Sequence, residues 1–120
     1  MSQTDKTPTA VDPRHKKRIQ IMNLLFAHSF RNEEKVNPKI SEIVDQIKDI
    51  DLTIAKIAPE RPLVEINKVD LAILRLIVFE SEHKKTPKKV LINEAVELAK
   101  KFGSENSAKF VNGALSQLFI

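Results

Sequence analysis

Apolar residues recur at helical spacing along most of the chain, and this periodicity favours a fold built from α-helices. The clearest run alternates steps of four and three residues through Ile43, Ile47, Ile50, Ile54 and Ile57. A period near 3.5 sustained over this length outweighs the preference of isoleucine for strands. The spacing predicts one helix of about five turns. This helix should end before Pro59, because proline cannot continue it.

Capping signals predict the starts of two further helices. Asp12-Pro13 indicates an N-cap followed by proline at the first helical position, in a helix that reaches about Phe30. Asn67, with Asp70 three residues on in the capping-box position, indicates the start of a central helix that is apolar nearly all round over residues 69–79. Residues 1–11 are polar and lack periodicity, so we expect a disordered tail before a single domain over residues 12–120.

The last quarter of the chain predicts two amphipathic helices separated by a glycine. Thr86-Pro87 starts the first, and Gly103 is expected to close it as a left-handed C-cap. Ser104 can cap the second, whose inward stripe is Val111, Leu115, Leu118 and Phe119. The expected fold is therefore all-α, with about five to six helices.

Composition excludes several classes of protein. With 120 residues and no cysteine, the chain fits one domain without disulfide or thiolate chemistry, which suits a reducing compartment and a cytoplasmic protein. We expect neither a membrane span nor a secretory signal. Two glycines cannot form a phosphate-cradling loop, and no Gly-x-Ser-x-Gly motif is present, so we expect no enzyme and no cofactor.

Two polar residues could carry chemistry but also have structural explanations. His83 with Glu80 forms a Glu-x-x-His pair, yet a di-metal centre needs that pair twice, and neither His15 nor His28 supplies the second copy. Arg75 lies within the most apolar helix, where a charge must be paired, and Glu94 is the expected partner.

Basic residues concentrate in residues 14–18 and 84–89, whereas acidic residues gather in the middle of the chain. This separation can build one basic face for a polyanion, although runs of this size are also common as solvated helix ends.

Phe110 lies about 100° from Val111 on the last helix, which predicts a position at the edge of the core beside Lys109 and Asn112. Single-stranded RNA binders use such a ring, cation and amide together. Gly113 inside this helix suggests close approach of a backbone or a ligand.

One pattern extends over both of the last two predicted helices. It consists of Asn93-Glu94-Ala95-Val96-Glu97-Leu98-Ala99-Lys100-Lys101-Phe102-Gly103, followed by Ser107 and Lys109-Phe110-Val111-Asn112-Gly113. This pattern resembles the C-terminal signature of the NusB family of bacterial transcription antitermination factors. A second, upstream pattern resembles the central helix of the family. It consists of Asn67-Lys68-Val69-Asp70, Ala72-Ile73-Leu74-Arg75-Leu76 and Phe79-Glu80. The resemblance covers most of residues 14–118.

The resemblance implies an all-α fold of two small packed bundles that binds RNA and is not an enzyme. NusB-like proteins recognise the boxA element of ribosomal RNA leader transcripts together with the ribosomal protein NusE, within the RNA polymerase antitermination complex that reads through terminators. In the family, residues at the start of the first helix and near the start of the last helix lie on the side that binds RNA. The resemblance therefore assigns to this RNA side Arg14, Lys16, Lys17, Arg18, Glu105, Asn106, Lys109, Phe110 and Asn112. The resemblance assigns Phe26 and Asp70 to the side that binds the partner protein.

The chain departs from the family pattern at three places. The stretch between Phe26 and Ile50 is about one helix short of the usual seven, Phe26 replaces a tyrosine, and Asn106 stands where aspartate is common. Loss of that negative charge should favour a polyanion. Two alternatives remain open: a protein-interaction module of the same fold that has lost RNA binding, and a stand-alone relative of the RNA-binding domain of ribosomal RNA cytosine methyltransferases.

Overall fold

Six α-helices and one 3₁₀ turn form the regular structure of residues 12–31 and 35–120, the part of the chain that this computed structural model describes. The tail predicted over residues 1–11 lies outside it. The elements in chain order are α1 (Pro13–His28), α2 (Ser41–Asp45), α3 (Ile47–Ile57), the 3₁₀ turn (Leu63–Glu65), α4 (Lys68–His83), α5 (Lys88–Phe102) and α6 (Ser107–Leu118). The prediction of an all-α fold is confirmed.

Side-chain caps start α1 and α4 where the sequence predicted them. The Asp12 carboxylate accepts the backbone N–H of Arg14 at 2.9 Å, and Pro13 occupies the first helical turn. Asn67 Oδ1 accepts the backbone N–H of Val69 at 2.8 Å and that of Asp70 at 3.4 Å. Each cap satisfies donors that have no partner within the helix.

The isoleucine stripe lies on two helices, so the prediction of one five-turn helix is wrong. Gln46, with φ −105° and ψ 10°, interrupts the helix between α2 and α3. Its N–H donates to the carbonyl of Ile43 at 3.1 Å, and its side-chain oxygen lies 2.7 Å from His83 Nε2 at the end of α4. Ile43 and Ile50 are buried on either side of the break. Because Ile43 and Ile50 both reach the core across the break, the apolar period continues in the sequence and did not reveal the break.

Helix α4 forms the centre of the core and packs against all five other helices. Its apolar residues are buried over 71–74 and 76–79, as the all-round apolar pattern predicted. Each of the larger apolar side chains among them stabilises the fold by roughly 1.5–3 kcal/mol relative to exposure. None of the helices in the described ranges is long and apolar enough to cross a membrane.

The turn between α5 and α6 differs from the prediction. Gly103 has φ −90° and ψ −168°, which is extended backbone and not a left-handed cap. Glycine is needed there for space, because a Cβ at position 103 would lie 2.7 Å from the carbonyl oxygen of Ala99 and would collide with the Ser107 side chain. Ser104 does not cap α6. Instead its backbone N–H donates to Ser107 Oγ at 2.8 Å.

Arg75 pairs with a residue other than the one predicted. Its guanidinium donates two hydrogen bonds of 2.9 Å to the carboxylate of Asp51, which joins α4 to α3. Glu94 instead accepts a hydrogen bond from Arg18, so the predicted pair of Arg75 with Glu94 is wrong. The reason is geometric. The partly buried side chain of Arg75 meets that of Asp51 where α4 packs against α3, and local spacing does not encode a contact between such distant segments.

Candidate RNA interface

An open groove lies where the end of α3, the connector before α4 and helix α6 meet. We call it the Phe110 groove, and it encloses about 640 Å³. Its walls carry three cations, one carboxylate, two amide side chains and a ring. The lining residues that supply these groups are Lys56, Glu60, Arg61, Asn106, Lys109, Phe110 and Gln117.

Phe110 is half-buried at the edge of the core, the position that its place on α6 predicted. The guanidinium carbon of Arg61 lies 4.2 Å from the centre of its ring, within the range of a cation–π contact. Lys109 and Asn106 are exposed beside it. The ring and the lysine predicted from the sequence therefore line one groove. The amide predicted beside them, Asn112, is not part of the groove lining, and Asn106 supplies an amide there instead.

Gly113 also lines the Phe110 groove, one turn along α6 from Phe110. A Cβ built at this position meets no atom within 4 Å. The close approach of another backbone, expected as one reason for this glycine, is therefore not seen in the described part of the chain. The approach of a ligand, the other reason expected for this glycine, stays a prediction.

The basic start of α1 lies on a different groove. We call it the α1 groove. It encloses about 340 Å³ between α1, α2 and the end of α4. Arg14, Lys17, Lys39 and Lys84 bring positive charge to it, and Ile21, Ile43, Leu76 and Phe79 form its apolar lining. Lys16 and Lys17 line a neighbouring shallow surface that also includes Lys39.

Arg18, which the resemblance assigned to the RNA side, is almost fully buried, although it also lines the α1 groove. Its residue is 8% exposed, and its guanidinium donates to both oxygens of Glu80, at 3.0 and 2.6 Å, and to Glu94 at 2.8 Å. The hydrogen bonds to Glu80 raise the pKa of Arg18 above its usual value. Because both carboxylates hold this guanidinium, Arg18 joins α1 to α4 and α5.

The remaining residues predicted on the RNA side belong to α6 and the turn before it. Glu105 and Asn112 are exposed, and Asn112 also accepts a hydrogen bond at its carbonyl from the hydroxyl of Ser116. Lys109 and Phe110 line one groove, whereas Lys16 and Lys17 line another surface. The cations at the start of α1 and those beside Phe110 therefore line different surfaces.

The two residues assigned to the partner-protein side differ in accessibility. Phe26 is half-buried, and its ring centre lies 5.0 Å from that of Phe30, which is 62% exposed. Asp70 is 2% exposed, so a direct contact between its carboxylate and a partner does not fit this structure. The side chain turns instead toward Ser107 of α6.

The buried carboxyl group of Asp70 lacks part of the hydrogen bonding that would offset the cost of its burial. Within residues 12–31 and 35–120 its Oδ1 atom is buried without a hydrogen-bond partner. Burial raises the pKa of this carboxyl, and the hydroxyl of Ser107 and the charge of Arg61 act in the opposite direction. A buried carboxylate that is only partly satisfied destabilises the fold while it is charged.

Sequence reasoning missed two cations of the Phe110 groove. Lys56 lies in the last turn of α3, and Arg61 lies in the connector of residues 59–62 that follows this helix. Neither residue has a local signal for ligand binding. Their position follows from the packing of α3 against α6, which brings the connector to the side of Phe110.

The described helices surround a central one and leave open grooves that contain cations and a ring, and they define a small all-α domain. The NusB family model matches residues 31–119, and the chain belongs to the NusB family. Members of this family are not enzymes, in agreement with the prediction from the sequence.

Individual relatives support the same membership. A protein of Herpetosiphon aurantiacus named transcription antitermination protein NusB is 53% identical over 73 residues, which are 58% of this chain and 50% of that protein. The chain spans about half the length of several such curated relatives. A protein of the same name from Campylobacter curvus is 35% identical, with 88% of this chain and 95% of the relative covered. The solved structure of T. maritima NusB superimposes with a TM-score of 0.81 at 31% identity, covering 89% of this chain and 90% of that one.

Proposed function

We propose that this protein is an RNA-binding transcription antitermination factor. It recognises boxA-type RNA of ribosomal RNA leader transcripts together with NusE and so promotes read-through by RNA polymerase. The relatives from Herpetosiphon aurantiacus and Campylobacter curvus carry the name of transcription antitermination proteins, which supports this role for the chain. NusE and the boxA sequence come from the family resemblance of the sequence.

The observation that carries RNA binding is the composition of the Phe110 groove. Lys56, Arg61 and Lys109 offer positive charge to phosphates, and Asn106 offers an amide to a base edge. Phe110 adds an aromatic ring at the same place, which suits unpaired bases better than a duplex. Glu60 is the acidic residue on the groove, so positive charge predominates.

A second contribution comes from the start of α1. Arg14, Lys16 and Lys17 are exposed on the first helix, next to Lys39 and Lys84. These side chains would attract the RNA backbone without reading its sequence, because phosphate contacts position a nucleic acid and base contacts specify it. We propose that one RNA strand uses the Phe110 groove for recognition and the α1 cations for attraction.

NusE binding is proposed at the end of α1. Phe26 and the exposed Phe30 form an edge-to-face pair there, and an exposed phenylalanine is a common anchor in protein interfaces. Phe26 lacks the hydroxyl group of the tyrosine usual in the family, so the contact proposed here relies on apolar surface.

The test is a gel shift of the full chain with boxA-like RNA and with a scrambled RNA of equal composition, each with and without NusE. We expect tighter binding of boxA-like RNA, strengthened by NusE and weakened as salt rises. Binding of NusE without any detectable RNA binding would favour the protein-interaction module instead. Equal affinity for both RNAs at every salt concentration would contradict sequence recognition.

A further inference from the structure

Three arginines in the described helices and connectors have contrasting surroundings. The guanidinium of Arg18 is held by Glu80 and Glu94, and that of Arg75 is held by Asp51 through two hydrogen bonds. Arg61 differs from both. Within the described part of the chain its guanidinium makes no hydrogen bond and no ion pair, and its close contact is the ring of Phe110 at 4.2 Å.

A guanidinium that contacts an aromatic ring keeps its N–H donors free, because they project around the edge of the planar group. The ring contact restricts the orientation of Arg61 without using these donors. The donors therefore stay available in the Phe110 groove, which Arg61 lines. Planar N–H pairs of this kind match the oxygens of a phosphate group.

The charges around Arg61 agree with an anionic ligand. Lys56 and Lys109 are exposed on the same groove. Asp70 acts on Arg61 over a longer distance, because it lies outside the 4 Å of an ion pair and is buried. Glu60 is exposed, so water screens its charge. Net positive charge remains where the Arg61 donors are free.

We propose that Arg61 binds a backbone phosphate of the RNA and that the Phe110 ring positions its guanidinium for this contact. The inference rests on the proposed function and adds to it a phosphate-binding residue together with a positioning role for Phe110. Arg61 covers one face of the Phe110 ring, so a base cannot stack on that face. Part of the contribution of Phe110 to RNA affinity therefore comes from its orientation of Arg61.

The experiment measures the affinity of the full chain for a short boxA-like single-stranded RNA between about 50 and about 200 mM salt. The variants are Arg61→Gln, which removes the charge, and Arg61→Lys, which keeps the charge but removes the planar donors. Lys100→Gln serves as the matched control, because Lys100 is exposed on α5 and is not part of the groove lining. The melting temperature of each variant checks that its fold is intact.

We expect Arg61→Gln to weaken binding about tenfold at low salt, as the removal of one charge-assisted hydrogen bond to a phosphate does. Its salt slope should be shallower than that of the unmodified chain by about 0.7, the value for one phosphate bound on a single strand. Arg61→Lys should keep the slope and recover part of the affinity. Lys100→Gln should change neither quantity.

A double variant tests the positioning role of Phe110. Phe110→Leu should weaken binding and keep the salt slope, because Arg61 stays in the groove but is no longer oriented by a ring. The same change should have a smaller effect when Arg61 is already glutamine, because coupled residues are not additive. Equal effects of Phe110→Leu in both backgrounds would overturn the positioning role.

Two outcomes separate this inference from the proposed function. If the chain binds RNA but Arg61→Gln behaves like Lys100→Gln, the phosphate contact is wrong and RNA binding stands. If the unmodified chain binds no RNA at low salt, even with NusE present, both are overturned.

Discussion

Arg18 and Glu80 form a two-pronged ion pair inside the contact between α1 and α4. Arg18 Nε donates to Glu80 Oε1 at 3.0 Å, and a terminal nitrogen donates to Oε2 at 2.6 Å. Glu94 accepts a third bond from the same guanidinium at 2.8 Å, and His15 Nδ1 lies 3.1 Å from Glu94 Oε1. The start of α1 is thus fixed to two other helices by polar contacts that water scarcely reaches. The same guanidinium bonds therefore hold in place the helix end that carries Arg14, Lys16 and Lys17.

Arg18→Ala should lower the free energy of unfolding by about 3–5 kcal/mol, because it leaves Glu80 and Glu94 charged without their partner. Urea unfolding followed by circular dichroism measures the loss. Arg14→Ala is the control, since Arg14 pairs with Asp12 at 3.6 Å on the surface, and we expect a change of about 1 kcal/mol or less. Similar losses in the two variants would show that the buried network does not hold α1.

The same pair illustrates how far the sequence determined the fold. Helix existence follows from local periodicity and caps, so α1, α4, α5 and α6 were predicted close to their observed bounds. The partners of buried charges depend on which helices meet, and no spacing within a segment encodes that. Arg18 was therefore interpreted as a surface cation of the basic run, and Arg75 was paired with the wrong carboxylate.

The candidate site was predicted only in part, for a related reason. Lys109 and Phe110 are adjacent in sequence, so a cation beside a ring could be predicted before the structure was known, whereas Asn106 was assigned to the RNA side only through the family resemblance. Arg61 is about fifty positions away and comes to the ring only when α3 packs against α6. The turn at Gly103 shows the same limit, because the atoms that exclude a side chain there belong partly to the next helix.

The two glycines of the chain should respond to alanine in opposite directions. Gly113→Ala should stabilise the fold by about 1 kcal/mol, because alanine favours a helix and a Cβ at this position meets no atom within 4 Å. Gly103→Ala should destabilise it by about 1–3 kcal/mol, because the new methyl group would overlap the Ser107 side chain and the Ala99 carbonyl. Thermal unfolding of both variants in one buffer gives the comparison.

RNA binding adds a second measurement to the Gly113 variant. If RNA approaches the open surface of α6 beside Phe110, the added methyl group should weaken RNA binding although the protein becomes more stable. Gain of stability with unchanged RNA affinity would mean that the ligand does not approach Gly113.

The cations of α1 should act through charge alone. Lys16→Glu combined with Lys17→Glu should weaken binding to boxA-like and scrambled RNA by the same factor, because phosphate contacts carry no sequence information. The salt dependence should become shallower by about 0.7 for each phosphate that the variant no longer neutralises. Filter binding at several salt concentrations provides both quantities.

Phe110→Ala should affect sequence preference, in contrast to the Lys16 and Lys17 variant, which should affect salt dependence. Loss of the ring should reduce the preference for boxA-like RNA and leave the salt slope nearly unchanged, since stacking releases no counterions. Identical slope changes in the Phe110 and Lys16/Lys17 variants would contradict the division of roles between the two surfaces.

Asp70 should make the stability of the protein fall as pH rises. Burial raises the pKa of its carboxyl in the folded chain above the ordinary value of 3.8, which applies to the unfolded chain. Between these two values the folded chain keeps a proton that the unfolded chain has lost. The free energy of unfolding contributed by this group is therefore highest below the unfolded pKa, decreases as pH rises through the window, and is constant above the folded pKa.

Asp70→Asn tests this directly, because the amide keeps the shape of the side chain and cannot ionise. Urea unfolding from about pH 3 to about pH 7 should show the variant gaining stability relative to the unmodified chain as pH rises. Ser107→Ala should enlarge the loss at neutral pH in the unmodified background, because the Ser107 hydroxyl favours the charged form of Asp70. NusE affinity should not change in Asp70→Asn, since the side chain is 2% exposed. A variant that loses NusE binding while its stability curve matches that of the unmodified chain would return Asp70 to the partner surface.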